Sequence, residues 1–277
     1  MSELFGIIGN PIAHSLSPLI QNEAYKLNKM NAHFQAFHVE HEDLETAIKG
    51  MKAIGIKGFL VTVPFKAKVI PFLDEIDPIA ERTQAVNVVQ LIDEKYVGYN
   101  FDGEACLKAI LEDMGKPSLM KENILILGAG GAAQSIYYTL SQFEDVRIDI
   151  ANRTLEKADA VKKLRAHHKH THAISLEEAE NKQDQYDIII QTTSIGMWPK
   201  TDQSPINITH LKKDAFVSDI IYNPAETKIL KRARENGART QNGIKMLASQ
   251  NALSIEKWTG HKVNDQKMIE SLEEALS

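Results

Sequence analysis

The stretch that decides the fold is Asn123-Ile124-Leu125-Ile126-Leu127-Gly128-Ala129-Gly130-Gly131-Ala132-Ala133. Its first five residues form a near-continuous apolar run, as expected of a strand covered on both faces in a parallel sheet. The glycine-rich segment then turns the chain into a helix that the periodicity carries to about residue 143. In that strand–turn–helix context Gly128, Ala129, Gly130, Gly131, Ala132 and Ala133 fit the dinucleotide fingerprint, with Ala133 in the third glycine position. The first glycine permits the tight turn and the second lets the backbone approach a pyrophosphate. The small third residue lets helix and strand pack closely, and the helix N-terminus offers N–H groups to phosphate. A purely structural turn is the alternative reading.

Working outward, strand-like segments at residues 146–151, 186–191 and 215–221 alternate with helical ones, the rhythm of a doubly wound α/β domain. Upstream, residues 4–8, 34–39, 58–63 and 86–91 read as strands, with helical periodicity between most of them. Residues 96–99 form a second β-prone run, and the turn at Asp93-Glu94 predicts an antiparallel hairpin. Ser17 is placed to cap the first helix, with Pro18 at its first position. A helix over 102–114 ends at the punctuating Gly115-Lys116-Pro117-Ser118. The tail, 246–259 and 265–276, is helical.

The segment after the second strand of the nucleotide domain selects the dinucleotide. NAD readers place an acid about 20 residues beyond the glycines. Asp149 has that spacing but sits inside the strand, whose end is Asn152-Arg153-Thr154. A guanidinium there suits a 2′-phosphate, and Lys157 adds a second positive charge one helical turn on. NADP is therefore the expected cofactor; a solvated turn arginine is the bland alternative.

The first half places polar clusters where strands end: Ser15-Leu16-Ser17-Pro18, Thr62-Val63-Pro64-Phe65-Lys66, Ala85-Val86-Asn87 and Asn100-Phe101-Asp102-Gly103. Ligands of open α/β sheets collect at strand ends, and this set of hydroxyls, amides, ammonium and carboxylate suits a small polyhydroxylated substrate. Singly, Ser17 and Asp102 read as helix caps and Lys66 as a solvated charge. The four histidines His167, His168, His170 and His172 lack an acidic or cysteine co-ligand and read as a surface loop, so no metal is expected.

Together with Asn152-Arg153-Thr154 and Met246-Leu247-Ala248-Ser249-Gln250, these clusters recur in order along the chain in a series that closely resembles the shikimate dehydrogenase family. The resemblance implies a two-domain α/β architecture: an N-terminal α/β substrate domain with C-terminal helices added (1–102 plus 244–277) and a Rossmann-like NADP-binding domain (103–243). It implies NADPH-dependent, reversible reduction of 3-dehydroshikimate to shikimate, in chorismate and aromatic amino acid biosynthesis, with Lys66 and Asp102 as the catalytic proton-transfer pair. By the same resemblance Ser15, Ser17, Thr62, Asn87, Tyr222 and Gln250 bind substrate. Asn152, Arg153, Thr154 and Lys157 hold the adenosine phosphate, while Ile220, Gly243 and Met246 lie near the nicotinamide. Dual NAD/NADP use with quinate, or a non-catalytic dinucleotide sensor on the same fold, stay open as alternatives. Two departures stand out: Phe101 within Asn100-Phe101-Asp102-Gly103, and Gln191 where the family commonly has asparagine.

Composition agrees. The 277 residues are 43% hydrophobic and 25% charged, which excludes disorder and fibrous repeats, and acids outnumber bases for a net charge of −5. No basic footprint argues for nucleic acid. No apolar run reaches the ~18 residues of a membrane span, and the start does not read as a signal peptide, so a cytoplasmic protein acting on a small molecule is expected. A homodimer is one state left open. The lone Cys106 lies in a helical apolar pattern and reads as a buried hydrophobe.

Overall fold

Phe5 through Gly9 are buried, and this run is the central part of β1 (Glu3–Gly9) in the first of two units. In the computed structural model, which describes residues 2–165 and 168–277, contacts group the described residues up to Asp102 with Leu247–Ala275 and Ser277. Gly103–Met246 and Leu276 form the second unit.

In the first unit β1 is followed by α1 (Ser17–Leu27), β2 (Ala32–His38), α2 (Leu44–Ala53), β3 (Gly58–Val61), β4 (Glu75–Ile76), α3 (Pro78–Thr83), β5 (Val88–Ile92) and β6 (Lys95–Tyr99). The sheet order is β2-β1-β3-β5-β6-β4, with β1, β2 and β3 parallel and β5 antiparallel to both neighbours. The β5–β6 hairpin turns through Asp93 and Glu94 at φ 45° and 64°, the left-handed pair whose twist matches that of the strands it joins. Parallel pairing brings the carboxyl ends of β1 and β3 to one edge of the sheet. Because β5 runs the other way, its start and the end of β6 arrive at the same edge, Val88 lying opposite both Leu60 and Tyr99. That geometry gathers the polar clusters.

The helices α9 (Ile244–Thr259) and α10 (Asp265–Leu276) come from the far end of the chain. The part of α9 in this unit is bound to α1 by a buried amide cluster. Gln21 Nε2 donates to Asn251 Oδ1 and Ser254 Oγ, both at 3.0 Å, and none of these three residues is exposed. Trp258 stacks on Phe5 at 4.9 Å between ring centroids and donates its indole N–H to Val89 O at 2.9 Å. Gly58 makes room for that ring, since a Cβ there would stand 2.3 Å from Trp258 Nε1.

The second unit contains most of α4 (Asp102–Met114), then β7 (Asn123–Leu127), α5 (Gly131–Leu140), β8 (Arg147–Ala151), α6 (Leu155–Lys162), β9 (Thr171–Ile174), α7 (Leu176–Asn181), β10 (Ile188–Gln191), β11 (Phe216–Asp219), α8 (Lys228–Glu235) and β12 (Arg239–Gln241). Its six strands pair in parallel in the order β12-β11-β10-β7-β8-β9. Read from β9 this is the 3-2-1-4-5-6 order of the dinucleotide fold, whose order reverses between β7 and β10. Ile124, Leu125, Ile126 and Leu127 are fully buried, as the continuous apolar run requires. Cys106 is buried in α4.

Two local readings change. Ser17 does not cap α1: it is the first helical residue, Leu16 holds the cap position without a side-chain bond, and Pro18 is second. The Ser15 hydroxyl instead accepts the Ser17 N–H at 3.4 Å. The histidine-rich stretch is not wholly a surface loop. His167 lies outside the described residues, but His168 is buried against Thr171 Oγ1 and Phe143 O, and Thr171–Ile174 pairs with β8 as a strand. Its polar composition hides the alternation that would have announced it.

At the end of β11 the fully buried Asp219 clasps the turn leading to Tyr222. Its Oδ1 accepts the Ile221 N–H at 2.9 Å and its Oδ2 the Thr227 hydroxyl at 2.7 Å. Burial outweighs both bonds and pushes the carboxyl up to about 7.

Gly58→Ala is expected to cost about 1–3 kcal/mol by overpacking against the rigid indole, read as a lowered urea midpoint. For Asp219, the folded state keeps a proton that the unfolded chain loses above about pH 4. Stability therefore falls as pH rises from about 4 to about 7 and the full penalty persists above that. The stability of Asp219→Asn relative to the parent should accordingly rise between pH 5 and 7 and level off by pH 8. An unchanging difference in urea midpoints over that range would contradict this.

Candidate active site

Asp102 opens α4 and its carboxylate is fully buried. An isolated buried carboxylate is costly, so it must be paired and hydrogen-bonded. Lys66 Nζ donates to Oδ2 at 2.7 Å; Asn87 Nδ2 and Gln250 Nε2 donate to Oδ1 at 2.8 and 2.5 Å. Every donor comes from a different part of the unit: the loop after β3, the residue before β5, and α9. The carboxylate does not cap its own helix. The Lys66 side chain is 22% exposed, so the lysine is anchored at its tip to the buried carboxylate without being sealed off from solvent. Such a group can place a proton beside an oxygen that gains charge.

The remaining candidates of this unit lie near the same sheet edge in sequence order. Thr62 follows β3, with its methyl against Gly9 at the end of β1, and Ser15 and Ser17 sit at the start of α1. Ser17 is buried and Ser15 and Thr62 half-buried. The Phe101 departure is accommodated locally: its ring stacks on Tyr99 at 6.1 Å and its N–H is received by Asn87 Oδ1 at 2.9 Å.

In the second unit the glycine turn lies at the reversal of strand order. Gly128 follows β7 at φ 118°, a conformation other residues rarely adopt. A Cβ on it would also stand 2.6 Å from Thr192 Oγ1, just beyond β10. Gly130 holds the cap position of α5 without a side-chain bond, and a Cβ there would meet nothing within 4 Å. The first turn of α5 thus presents backbone to open space, with Ala129, Gly131 and Ala132 half-buried and Ala133 packed inside. This cradle fits a pyrophosphate. At the end of β8, Arg153, Thr154 and Lys157 are exposed, while Asn152 Nδ2 ties back to Thr154 O at 2.8 Å. Asp149 is unsuited to a ribose, because within β8 its carboxylate accepts the Tyr186 hydroxyl at 2.7 Å.

Tyr222 lies beyond the Asp219 clasp, half-buried, and burial raises its phenol above the ordinary range, so it is a neutral donor. Gly243 permits close backbone approach, since a Cβ would stand 2.1 Å from Ile220 O; its N–H donates to Ile221 O at 2.9 Å. Met246 is buried near the start of α9. Gln191 has a structural use: its side chain bonds Thr193 and Ile195 and shapes the loop after β10. Among the described residues, no three histidine, cysteine or acidic side chains group as metal ligands, and no helix is long and apolar enough to cross a membrane.

The family model described as "Shikimate dehydrogenase substrate binding domain" matches residues 7–89, and that described as "Shikimate / quinate 5-dehydrogenase" matches residues 110–220. A shikimate dehydrogenase (NADP(+)) of Bacillus cereus strain AH187 is 49% identical over 97% of this chain and 96% of its own. A solved shikimate dehydrogenase from Aquifex aeolicus is 36% identical, covers 98% of this chain and 97% of its own, and superposes with a TM-score of 0.88. Another from Thermus thermophilus, solved with NADP(H) and shikimate, is 29% identical, covers 99% and 100%, and gives 0.89. With half its residues shared with a curated relative over nearly the full length of both, the chain belongs to the shikimate dehydrogenase family.

Proposed function

We propose that this protein reversibly reduces 3-dehydroshikimate to shikimate with NADPH, a step in aromatic amino acid biosynthesis. The observation that carries this reading is the Lys66–Asp102 contact of 2.7 Å on a fully buried carboxylate, in a chain with full-length relatives named for that activity.

The NADP(H), when bound, supplies or accepts the hydride. Gly128, Ala129, Gly130, Gly131, Ala132 and Ala133 would hold its pyrophosphate, and Arg153 with Asn152, Thr154 and Lys157 its 2′-phosphate, with Ile220, Gly243 and Met246 beside the nicotinamide. In reduction, the ketone carbon gains a hydride and its oxygen becomes an alkoxide. Lys66 stabilises that charge and donates one ammonium proton to the oxygen. Run towards oxidation, neutral Lys66 takes the hydroxyl proton. Asp102 orients the ammonium and accepts from a neighbouring substrate hydroxyl. Ser15 and Ser17 bind the substrate carboxylate, while Thr62, Asn87, Tyr222 and Gln250 surround the ring. This reading includes the division of labour between units, with residues 1–102 and 244–277 for substrate and 103–243 for cofactor.

Lys66→Ala should lower kcat by about 10²–10⁴-fold with little change in KM for shikimate; near-parental turnover would remove Lys66 from catalysis. Initial rates with shikimate and quinate, each against NADP and NAD, should favour shikimate with NADP. Arg153→Ala should raise KM for NADP by about 10- to 100-fold, the worth of charge-assisted bonds, and leave KM for NAD nearly unchanged. Equal NAD and NADP rates in the parent would refute the role of Arg153.

A further inference from the structure

Lys66 and Asp102 stand 36 residues apart in sequence, and their contact depends on how far apart their backbones are held. Asn100 lies between them in the hydrogen-bond network. It is 2% exposed; its Oδ1 accepts the Asp102 N–H at 3.0 Å and its Nδ2 donates to Ala85 O at 2.8 Å. The peptide group that carries Ala85 O also carries the Val86 N–H, which donates to Lys66 O at 2.8 Å. One peptide and one side-chain amide thus join the backbone of Lys66 to the backbone of Asp102.

The same peptide leads directly into Asn87. The Asn87 N–H donates to Tyr99 O at 3.0 Å, and its side chain bridges the Phe101 N–H and Asp102 Oδ1. Phe101, the residue before α4, has no side-chain acceptor for the helix start. Asn100 supplies one from outside the helix, and its other end is committed to the strand side. An acceptor alone satisfies a helix N-terminus; the second bond to Ala85 is beyond what a cap requires.

We propose that Asn100 is a positioning residue of the Lys66–Asp102 pair, setting the separation of the two backbones from which the reacting side chains project. This rests on the assignment of that pair as the proton-transfer device. Asn100 makes both of these bonds to backbone groups, the Asp102 N–H and Ala85 O, rather than to a reacting atom. Its effect passes through placement, where errors near 1 Å cost about 100-fold in rate.

The decisive variant is Asn100→Ser. A serine hydroxyl accepts the N–H two residues on, as in helix caps and short turns, but it is too short to reach Ala85 O as well. Asn100→Ser should therefore melt within a few degrees of the parent, while kcat for shikimate oxidation falls about 10- to 100-fold and KM for shikimate stays within about threefold. The solvent deuterium isotope effect on kcat should rise, because proton transfer becomes more nearly rate-limiting; a reduced fraction of folded enzyme would not raise it. Asn100→Ala, lacking both bonds, should lose thermal stability and kcat together. Parental kcat in Asn100→Ser would reduce Asn100 to a helix cap and overturn the proposal. So would a fall in kcat with an unchanged isotope effect, or a loss confined to KM. Asp102→Asn in the same assay separates the two levels: if its kcat is also parental, the proton-transfer pair itself is misassigned and the positioning role falls with it.

Discussion

A carboxylate with no exposure to water, Asp102, sets the terms for its unit. Its charge is sustained by an ammonium from the loop after β3, an amide beside β5 and another amide from α9. Removing any donor would leave part of a buried anion uncompensated, so burial and convergence depend on each other. The antiparallel β5 matters here. It brings the start of one strand to the edge where two parallel strands and β6 end, so that residues 66, 87 and 102 meet without a long loop. The anchored, partly open lysine that results is suited to proton transfer.

The late arrival of α9 is explained by the same need. Gln250 reaches Asp102 only if α9 is fixed against the first unit. The buried Gln21–Asn251–Ser254 cluster fixes it one residue from Gln250, and the Trp258 ring does so two turns on. Buried amides hydrogen-bonded to one another carry a steep penalty for misplacement, which makes them effective locators. The second unit solves a different problem with backbone alone. Its parallel order reverses between β7 and β10, and the glycines there leave a helix start open to a phosphate.

Much of this was legible in the chain. The apolar run 123–127, the hairpin at Asp93-Glu94 and the helices 102–114 and 265–276 coincide with observed elements, because each rests on near-neighbour patterning. Ser17 failed as a cap because the helix begins one residue earlier than its Pro18 signal suggests, and one-residue boundaries are set by packing as much as by propensity. Strand β9 was missed because an edge strand of four residues, with His172 outward, carries too few alternations to stand out. Gly58 gave no warning of its use, since the Trp258 ring that requires it comes 200 residues later.

By itself the sequence determined the α/β alternation, the nucleotide turn, the arginine at the end of the second strand and the residue types available for acid–base chemistry. These follow from periodicity, glycine geometry and side-chain chemistry, all of which act within a few residues. Only the tertiary structure decided which candidates converge: that Asp102 is held by residues 66, 87 and 250 rather than capping its helix, that Asp149 is bound to Tyr186, and that Asn100 links two backbones. A buried polar group takes its partners from wherever strand order and helix packing bring them, and that choice is made across the whole chain.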